Sequence, residues 1–210
     1  MQRRRLLSLF AATPLVVVGC GRKPAPQAML PARAAVLALG DSLTAGYGAT
    51  PEASWPAQLA GLTGWAVTNE GVNGDTSEGA LSRLGPLLAE QRFDAILVGI
   101  GGNDMLRGVP ADRTRRHIAE LLAQARAHTP HVALIATPAP DAMRAAVGAL
   151  SDAPFYAELA REGQALLIPG VYAEVLSDAS LRSDRIHANA RGYARIAQQI
   201  AEHLHQAGWR

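Results

Sequence analysis

Ser42, Gly74, Asn103, Asp184 and His187 are of types that together could carry nucleophilic catalysis. Ser42 stands in GDSLTAGYG after an apolar run, Gly74 in NGDTSEG, Asn103 in GIGGND, and Asp184 and His187 in SDRIHANARGY. A serine hydroxyl is a weak nucleophile until an imidazole takes its proton, and the imidazole works best when a carboxylate fixes its tautomer. The three-residue spacing brings Asp184 close enough to orient His187 while leaving the other ring nitrogen free to face Ser42. The backbone N–H of Ser42, the backbone N–H of Gly74 and the side-chain amide of Asn103 could converge on a developing oxyanion. Lacking Cβ, Gly74, Gly101 and Gly102 would let main chain approach a substrate closely.

Each piece taken alone has a second reading. A serine between strand and helix can be a cap, Gly74 a turn residue and Asn103 a loop cap. A D-x-x-H pair can be half of a metal site or a capping arrangement. The chain order serine, aspartate, histidine is one of several that serve this chemistry, and no G-x-S-x-G elbow is present. Asp41 and Asp104 are expected to hold their loops by accepting backbone N–H groups. His117, His128, His131, His203 and His205 are expected at exposed or dipole-favoured places on helices or their ends. Ser77 and Ser82 fall on a predicted helix with no evident base.

The elements that must position these residues alternate along the chain. Apolar runs over Ala34–Leu39, Trp65–Asn69, Asp94–Ile100, His131–Thr137 and Ala165–Ile168 predict strands, and helical spacing fills the gaps between them. Asp75 with Glu78 suggests a near capping box for a helix carrying Leu81, Leu84, Leu87 and Leu88 on one face, with Pro86 able to bend or end it early. A second helix would bury Ile118, Leu121, Leu122 and Ala125, and the last Ile196, Ile200 and Leu204. Strands bounded by helices imply a parallel sheet covered on both faces, a three-layer α/β sandwich. Ligands bind such sheets at the carboxyl ends of the strands, where the Ser42, Gly74 and Asn103 loops would meet, with the Asp184–His187 segment in reach.

Composition sets the remaining bounds. At 210 residues, 49% apolar, the chain suits one domain. The start, MQRRRLLSLFAATPLVVVGC, has a cationic opening, an apolar stretch too short to span a bilayer and a small residue before Cys20, which is the grammar of an export signal over residues 1–19. VVGC resembles the bacterial lipoprotein cleavage box, which implies acylation of Cys20; in an ordinary signal peptide this single cysteine would be incidental. Twin arginines leave either export route open. Residues 20–33 are proline-rich and expected to form a tether, so that the folded domain occupies 34–210. The 20 basic residues less Arg3, Arg4 and Arg5 leave 17 against 18 acidic ones, so nucleic acid has no electrostatic footprint.

GDSL at 40–43, the glycine of NGDT, GGND with Asn103 and DRIH with Asp184 and His187 together resemble the four blocks of the SGNH or GDSL hydrolase superfamily. LGDSLTAGYG, SWPAQL, GDTSEGALSRL and GGNDMLRG resemble its bacterial exported arylesterase, acyl-thioesterase and lysophospholipase group. The resemblance implies a flavodoxin-like fold, a five-stranded parallel sheet in an α/β/α sandwich. It also implies Ser42 as nucleophile, His187 as general base and acid, Asp184 as orienter, and Ser42, Gly74 and Asn103 as oxyanion donors, with no metal or organic cofactor. The expected partners are a small-molecule or lipid ester and, through Cys20, a membrane facing the periplasm or cell exterior, with the chain acting as a monomer. A carbohydrate O-deacetylase and an inactive lipid-anchored binding protein remain as alternatives; the 5% aromatic content offers little stacking surface for sugars. In the resembling thioesterases the segment after the fourth strand supplies bulky side chains to an acyl groove. Here PAPDAMRAAVGALSDAPFY is mostly alanine and glycine before Phe155 and Tyr156.

Overall fold

The computed structural model describes residues 28–210. The expected export segment, Cys20 and most of the tether lie outside the described residues. In chain order the elements are β1 (Ala35–Gly40), α1 (Ser42–Ala45), α2 (Trp55–Thr63), β2 (Ala66–Gly71), α3 (Ser77–Glu90), β3 (Ala95–Gly99), α4 (Gly102–Leu106), α5 (Ala111–His128), β4 (His131–Ile135), α6 (Ala142–Ala146), α7 (Phe155–Glu162), β5 (Leu166–Ile168), α8 (Val171–Ser177) and α9 (Ala190–Gln206). All five strands are parallel, in the order β2-β1-β3-β4-β5.

Side-chain alternation along the central strands builds two cores. Val36 and Ala38 of β1, Ala95 and Leu97 of β3, and Ala133 and Ile135 of β4 face Trp55 and Leu59 of α2 and the Tyr193, Ile196, Ile200 and Leu204 stripe of α9. Leu37 and Leu39, Ile96 and Val98, and Val132 and Leu134 face the opposite way, onto Leu84 of α3, Ile118, Leu121 and Leu122 of α5, and Leu159 of α7. Period-two strands covered on both faces read as continuous apolar runs for this reason. β2 is one of the two edge strands and only part-buried, which suits its polar sequence AVTNEG. The segment ahead of β1 is tied to the end of the chain: Leu30 N–H donates to the Trp209 carbonyl at 2.9 Å.

Two helix expectations are corrected in detail. Thr76, rather than Asp75, caps α3, its hydroxyl accepting the Gly79 N–H at 3.3 Å. Asp75 is held instead by the Arg83 guanidinium at 3.1 and 2.7 Å, and Arg83 also donates to the Glu70 carbonyl at 3.2 Å, so this carboxylate clamps the β2–α3 loop to α3. Pro86 does not end the helix, which runs on to Glu90. Both Pro86 and Ser82, one turn earlier, are exposed, so the missing N–H falls on the solvent face.

At the carboxyl edge of the sheet Gly71, Gly40 and Gly99 lie side by side in register on β2, β1 and β3. This row of bare backbone lets the α1 turn fold down onto the strand ends. A Cβ on Gly40 would stand 2.2 Å from Thr44 Oγ1 and 2.5 Å from the Gly99 carbonyl oxygen, and one on Gly71 would stand 2.0 Å from the Ala45 nitrogen. Overpacking of this kind costs about 1–3 kcal/mol. Gly40→Ala is therefore expected to lower the unfolding free energy by about that amount in urea titration; a change within experimental error would show that α1 is not seated by this contact.

Candidate active site

β1 and β3 are neighbours, and the loops that leave their carboxyl ends carry Ser42 and Asn103. In an open parallel sheet the strand pair from which the chain departs in opposite directions opens a crevice at that edge. Asp41 ends the β1 loop and caps α1, its Oδ1 accepting the Leu43 N–H at 3.0 Å. Ser42 is thus the first residue of a helical turn, where N–H groups have no partner within the helix.

The Asp184–His187 segment is shaped by its own backbone. Asp184 Oδ1 accepts the N–H groups of Ile186 at 2.8 Å and His187 at 2.9 Å, while Oδ2 lies 2.8 Å from His187 Nδ1. The D-x-x-H spacing therefore closes a tight turn in which one carboxylate oxygen holds the chain and the other the ring. An antiparallel bridge between Arg182 and Ala188 and bonds from the Asn189 amide to the Ser180 and Arg182 carbonyls, at 2.9 and 3.1 Å, hold the segment ahead of α9. The far ring nitrogen, His187 Nε2, lies 2.9 Å from Ser42 Oγ. With Nδ1–H donating to the carboxylate, Nε2 is the acceptor for the serine proton. Burial works against ionisation of Asp184, but the bonds from His187 and Ile186 outweigh it and hold the carboxyl below its ordinary range. The imidazole is also packed against Tyr47, ring centroids 4.5 Å apart, and Tyr193 Oη fixes Tyr47 by donating to its carbonyl at 2.7 Å.

Ser42 and Asn103 line one cavity of about 740 Å³ together with Asp41 and Gly102. The Asn103 amide donates to the Asp75 carbonyl at 2.9 Å and reaches Asp41 Oδ2 at 3.5 Å. Gly74 is not among the residues lining that cavity; Arg107, which follows α4, donates to the Gly74 carbonyl at 2.8 Å. Gly74 adopts φ +75°, a conformation that favours glycine. Four of the five residues singled out in the sequence thus come together, and the fifth stands beside them. The cavity walls are small or aliphatic, with Ala142, Ala145, Ala146, Leu43, Leu150 and Leu176 among them. Phe155 and Tyr156 do not contribute: Phe155 stacks on Tyr156, whose buried hydroxyl donates to the Ile100 carbonyl at 2.7 Å.

Ser77 corrects an expectation, since it has a histidine beside it. Its hydroxyl donates to Asp104 Oδ1 at 2.5 Å and lies 3.1 Å from His117 Nδ1, while its N–H donates to Asp104 Oδ2 at 2.8 Å. This Ser77–His117–Asp104 network has the residue types of a catalytic triad in a different arrangement. Here the hydroxyl, not the imidazole, sits in the middle, and with its one proton given to Asp104 it can only accept from His117. Ser77 is fully buried and Asp104 is 1% exposed, so the network serves to pin α3, α4 and α5 behind the Asn103 loop. His128 and His131 are likewise bonded rather than free: Phe93 N–H donates to His128 Nε2 at 2.9 Å, and buried His131 lies 2.6 Å from the Ala28 carbonyl through Nε2. Asp41 and Asp104 do hold backbone N–H groups. Among the described residues no three His, Cys, Asp or Glu side chains are grouped as metal ligands.

Asp41 is the electrostatic outlier of the site. Burial, aided by the charges of Asp75 and Asp104 and only partly offset by the Leu43 N–H, pushes its carboxyl from 3.8 up to about 7. The unfolded chain releases this proton near the ordinary value and the folded chain holds it to about 7. Between those values the folded state binds more protons, so this group makes stability fall as pH rises through the window and level off above it. Asp41→Asn keeps an oxygen for the Leu43 N–H. The urea midpoint of the variant relative to wild type is expected to climb between about pH 4 and pH 7; a difference independent of pH would reject the assignment.

A family model described as the GDSL-like Lipase/Acylhydrolase family matches residues 38–195. The chain is 34% identical over 177 residues to the Escherichia coli K12 protein named thioesterase 1/protease 1/lysophospholipase L1, a match covering 80% of this chain and 82% of that one. It is 29% identical over 175 residues to an arylesterase of Vibrio mimicus, covering 80% and 87% of the two chains. The crystal structure of TesA superposes with a TM-score of 0.73 at 26% identity, over 82% of this chain and 99% of the other.

Proposed function

The chain belongs to the GDSL-like lipase/acylhydrolase family of esterase- and thioesterase-like serine hydrolases, and on that premise we propose that it cleaves carboxylic esters or thioesters through an acyl-enzyme formed on Ser42. The observation that carries this reading is the unbroken line from Asp184 Oδ2 to His187 to Ser42 Oγ, at 2.8 and 2.9 Å, opening on a cavity with apolar walls. His187 Nε2 takes the Ser42 proton as Oγ attacks the carbonyl carbon, and Asp184 steadies the imidazolium that results. The negative charge on the carbonyl oxygen is received by the N–H of Ser42, the N–H of Gly74 and the amide of Asn103. Of that amide's two protons, the one spent on the long contact to Asp41 is the cheaper to redirect. The imidazolium then protonates the departing alcohol or thiol, and water repeats the sequence to free the acid. Aliphatic walls favour an acyl chain over a sugar.

Ser42→Ala is expected to abolish p-nitrophenyl ester hydrolysis, by at least about 10³-fold in kcat, with the far-ultraviolet circular dichroism unchanged. Turnover within about tenfold of wild type would place the nucleophile elsewhere.

We likewise propose that the chain is exported and anchored by a lipid on Cys20, facing the periplasm or cell exterior. The cationic start, the short apolar stretch and the VVGC box support this. Cys20→Ser should move the exported protein from the membrane pellet to the soluble fraction; continued sedimentation would refute the anchor.

A further inference from the structure

GDSLTAGYG contains one aromatic residue, Tyr47, and the reaction above gives it no task. Tyr47 is 51% exposed, yet its backbone is fixed from both sides. Its N–H donates to the Ser42 carbonyl at 3.0 Å, and its own carbonyl accepts the Tyr193 hydroxyl at 2.7 Å. The flanking glycines, Gly46 and Gly48, take φ +89° and +91°, and a Cβ on Gly48 would stand 2.2 Å from Ser183 Oγ and 3.0 Å from the Ala188 carbonyl oxygen. The G-Y-G turn is thus seated on the histidine-bearing segment. One residue is tied to the nucleophile through its backbone and to the base through its ring.

The Tyr47 and His187 ring centroids are 4.5 Å apart, with the planes inclined by 46°. Two flat rings cannot come that close edge to edge, so π surface is in contact. Any apolar side chain would help to cover the imidazole, whose residue is only 13% exposed at the side chain. What a tyrosine adds is the negative face of its π system. His187 becomes a cation when it takes the Ser42 proton, and a cation within about 6 Å of an aromatic centroid is attracted to the ring. This attraction is stronger for the imidazolium than for the neutral imidazole that precedes it, and an interaction that strengthens on the way to the transition state accelerates the step. Asp184 reaches the same imidazole at its edge, through Nδ1, so carboxylate and aromatic ring act on different sides of it.

We propose that Tyr47 is a positioning residue for the reaction: it holds the His187 imidazole toward Ser42 and stabilises the imidazolium through the face of its ring. The inference rests on the serine hydrolase reading and deepens it. Acylation and deacylation both pass through the imidazolium, so the contribution appears in kcat whichever step is slower. For a half-exposed ring it amounts to about two- to fivefold. The role belongs to the ring, not to the hydroxyl.

The test measures kcat and KM on p-nitrophenyl hexanoate in wild type, in Tyr47→Leu, in Tyr47→Phe, and in Tyr47→Phe with the new ring difluorinated or fully fluorinated by unnatural amino-acid incorporation. Fluorine withdraws charge from the π face and changes the size of the ring little, so the series varies the electrostatics at nearly constant packing. In Tyr47→Phe, kcat should stay within about twofold of wild type, and it should fall stepwise with fluorination. With the fully fluorinated ring and in Tyr47→Leu it should lie about fivefold below wild type, with KM within about twofold throughout. Should Tyr47→Leu fail to keep wild-type circular dichroism, the fluorinated rings, which preserve shape, decide the matter. Equal kcat with the unfluorinated and the fully fluorinated ring would overturn the role while leaving the hydrolase reading intact, as would a loss confined to KM. A wild-type protein inert on the ester would sink the hydrolase reading and this role with it.

Discussion

Parallel pairing of β1 with β3 is the constraint on which the site depends. It sets the carboxyl ends of the two strands side by side and so brings Ser42 and Asn103, sixty-one residues apart, to one crevice. The row of Gly71, Gly40 and Gly99 at that edge makes the arrangement sterically possible, because α1 rests directly on backbone there. Helices on both faces supply the apolar burial that holds the strands in register, and this burial, at about 25 cal/mol per Å², is the main favourable term in such a fold.

Polar groups buried behind the crevice hold its loops in place. Asp104 receives the Ser77 hydroxyl and N–H, and Thr114 Oγ1 at 3.4 Å, which ties α4 to the starts of α3 and α5. Leaving such a carboxylate without partners would cost several kcal/mol, so the three helices are locked together by the need to satisfy it. Asp41 is less well compensated. A carboxyl held protonated up to about 7 beside the nucleophile shows that the site keeps a polar group where the fold would be more stable without its charge. It stands at the junction of the α1 cap and the Asn103 amide and touches both loops.

Aliphatic and small side chains make most of the cavity wall, and the aromatic residues that follow the 138–152 segment turn into the core beneath α7 instead of lining it. The histidine-bearing segment contributes Arg182, Arg185 and Ile186 to the lining.

Much of this was legible in the amino-acid sequence because it is written in local pattern. Strand runs, the faces of α5 and α9 and the three-layer order follow from short-range spacing, the four blocks containing Ser42, Gly74, Asn103 and Asp184 with His187 are legible through their resemblance to a family, and D-x-x-H closes its own turn through backbone bonds within four residues. Tertiary structure alone decided what depends on approach through space. The 2.9 Å contact between Ser42 and His187 spans 145 residues of chain. The capture of Asp75 by Arg83 left the cap of α3 to Thr76, and His117 reached Ser77 only because α5 packs on α3. The packing of Tyr47 against His187 belongs to the same class. Periodicity records which side of its own element a residue faces; the partner it meets there is chosen by how the elements pack.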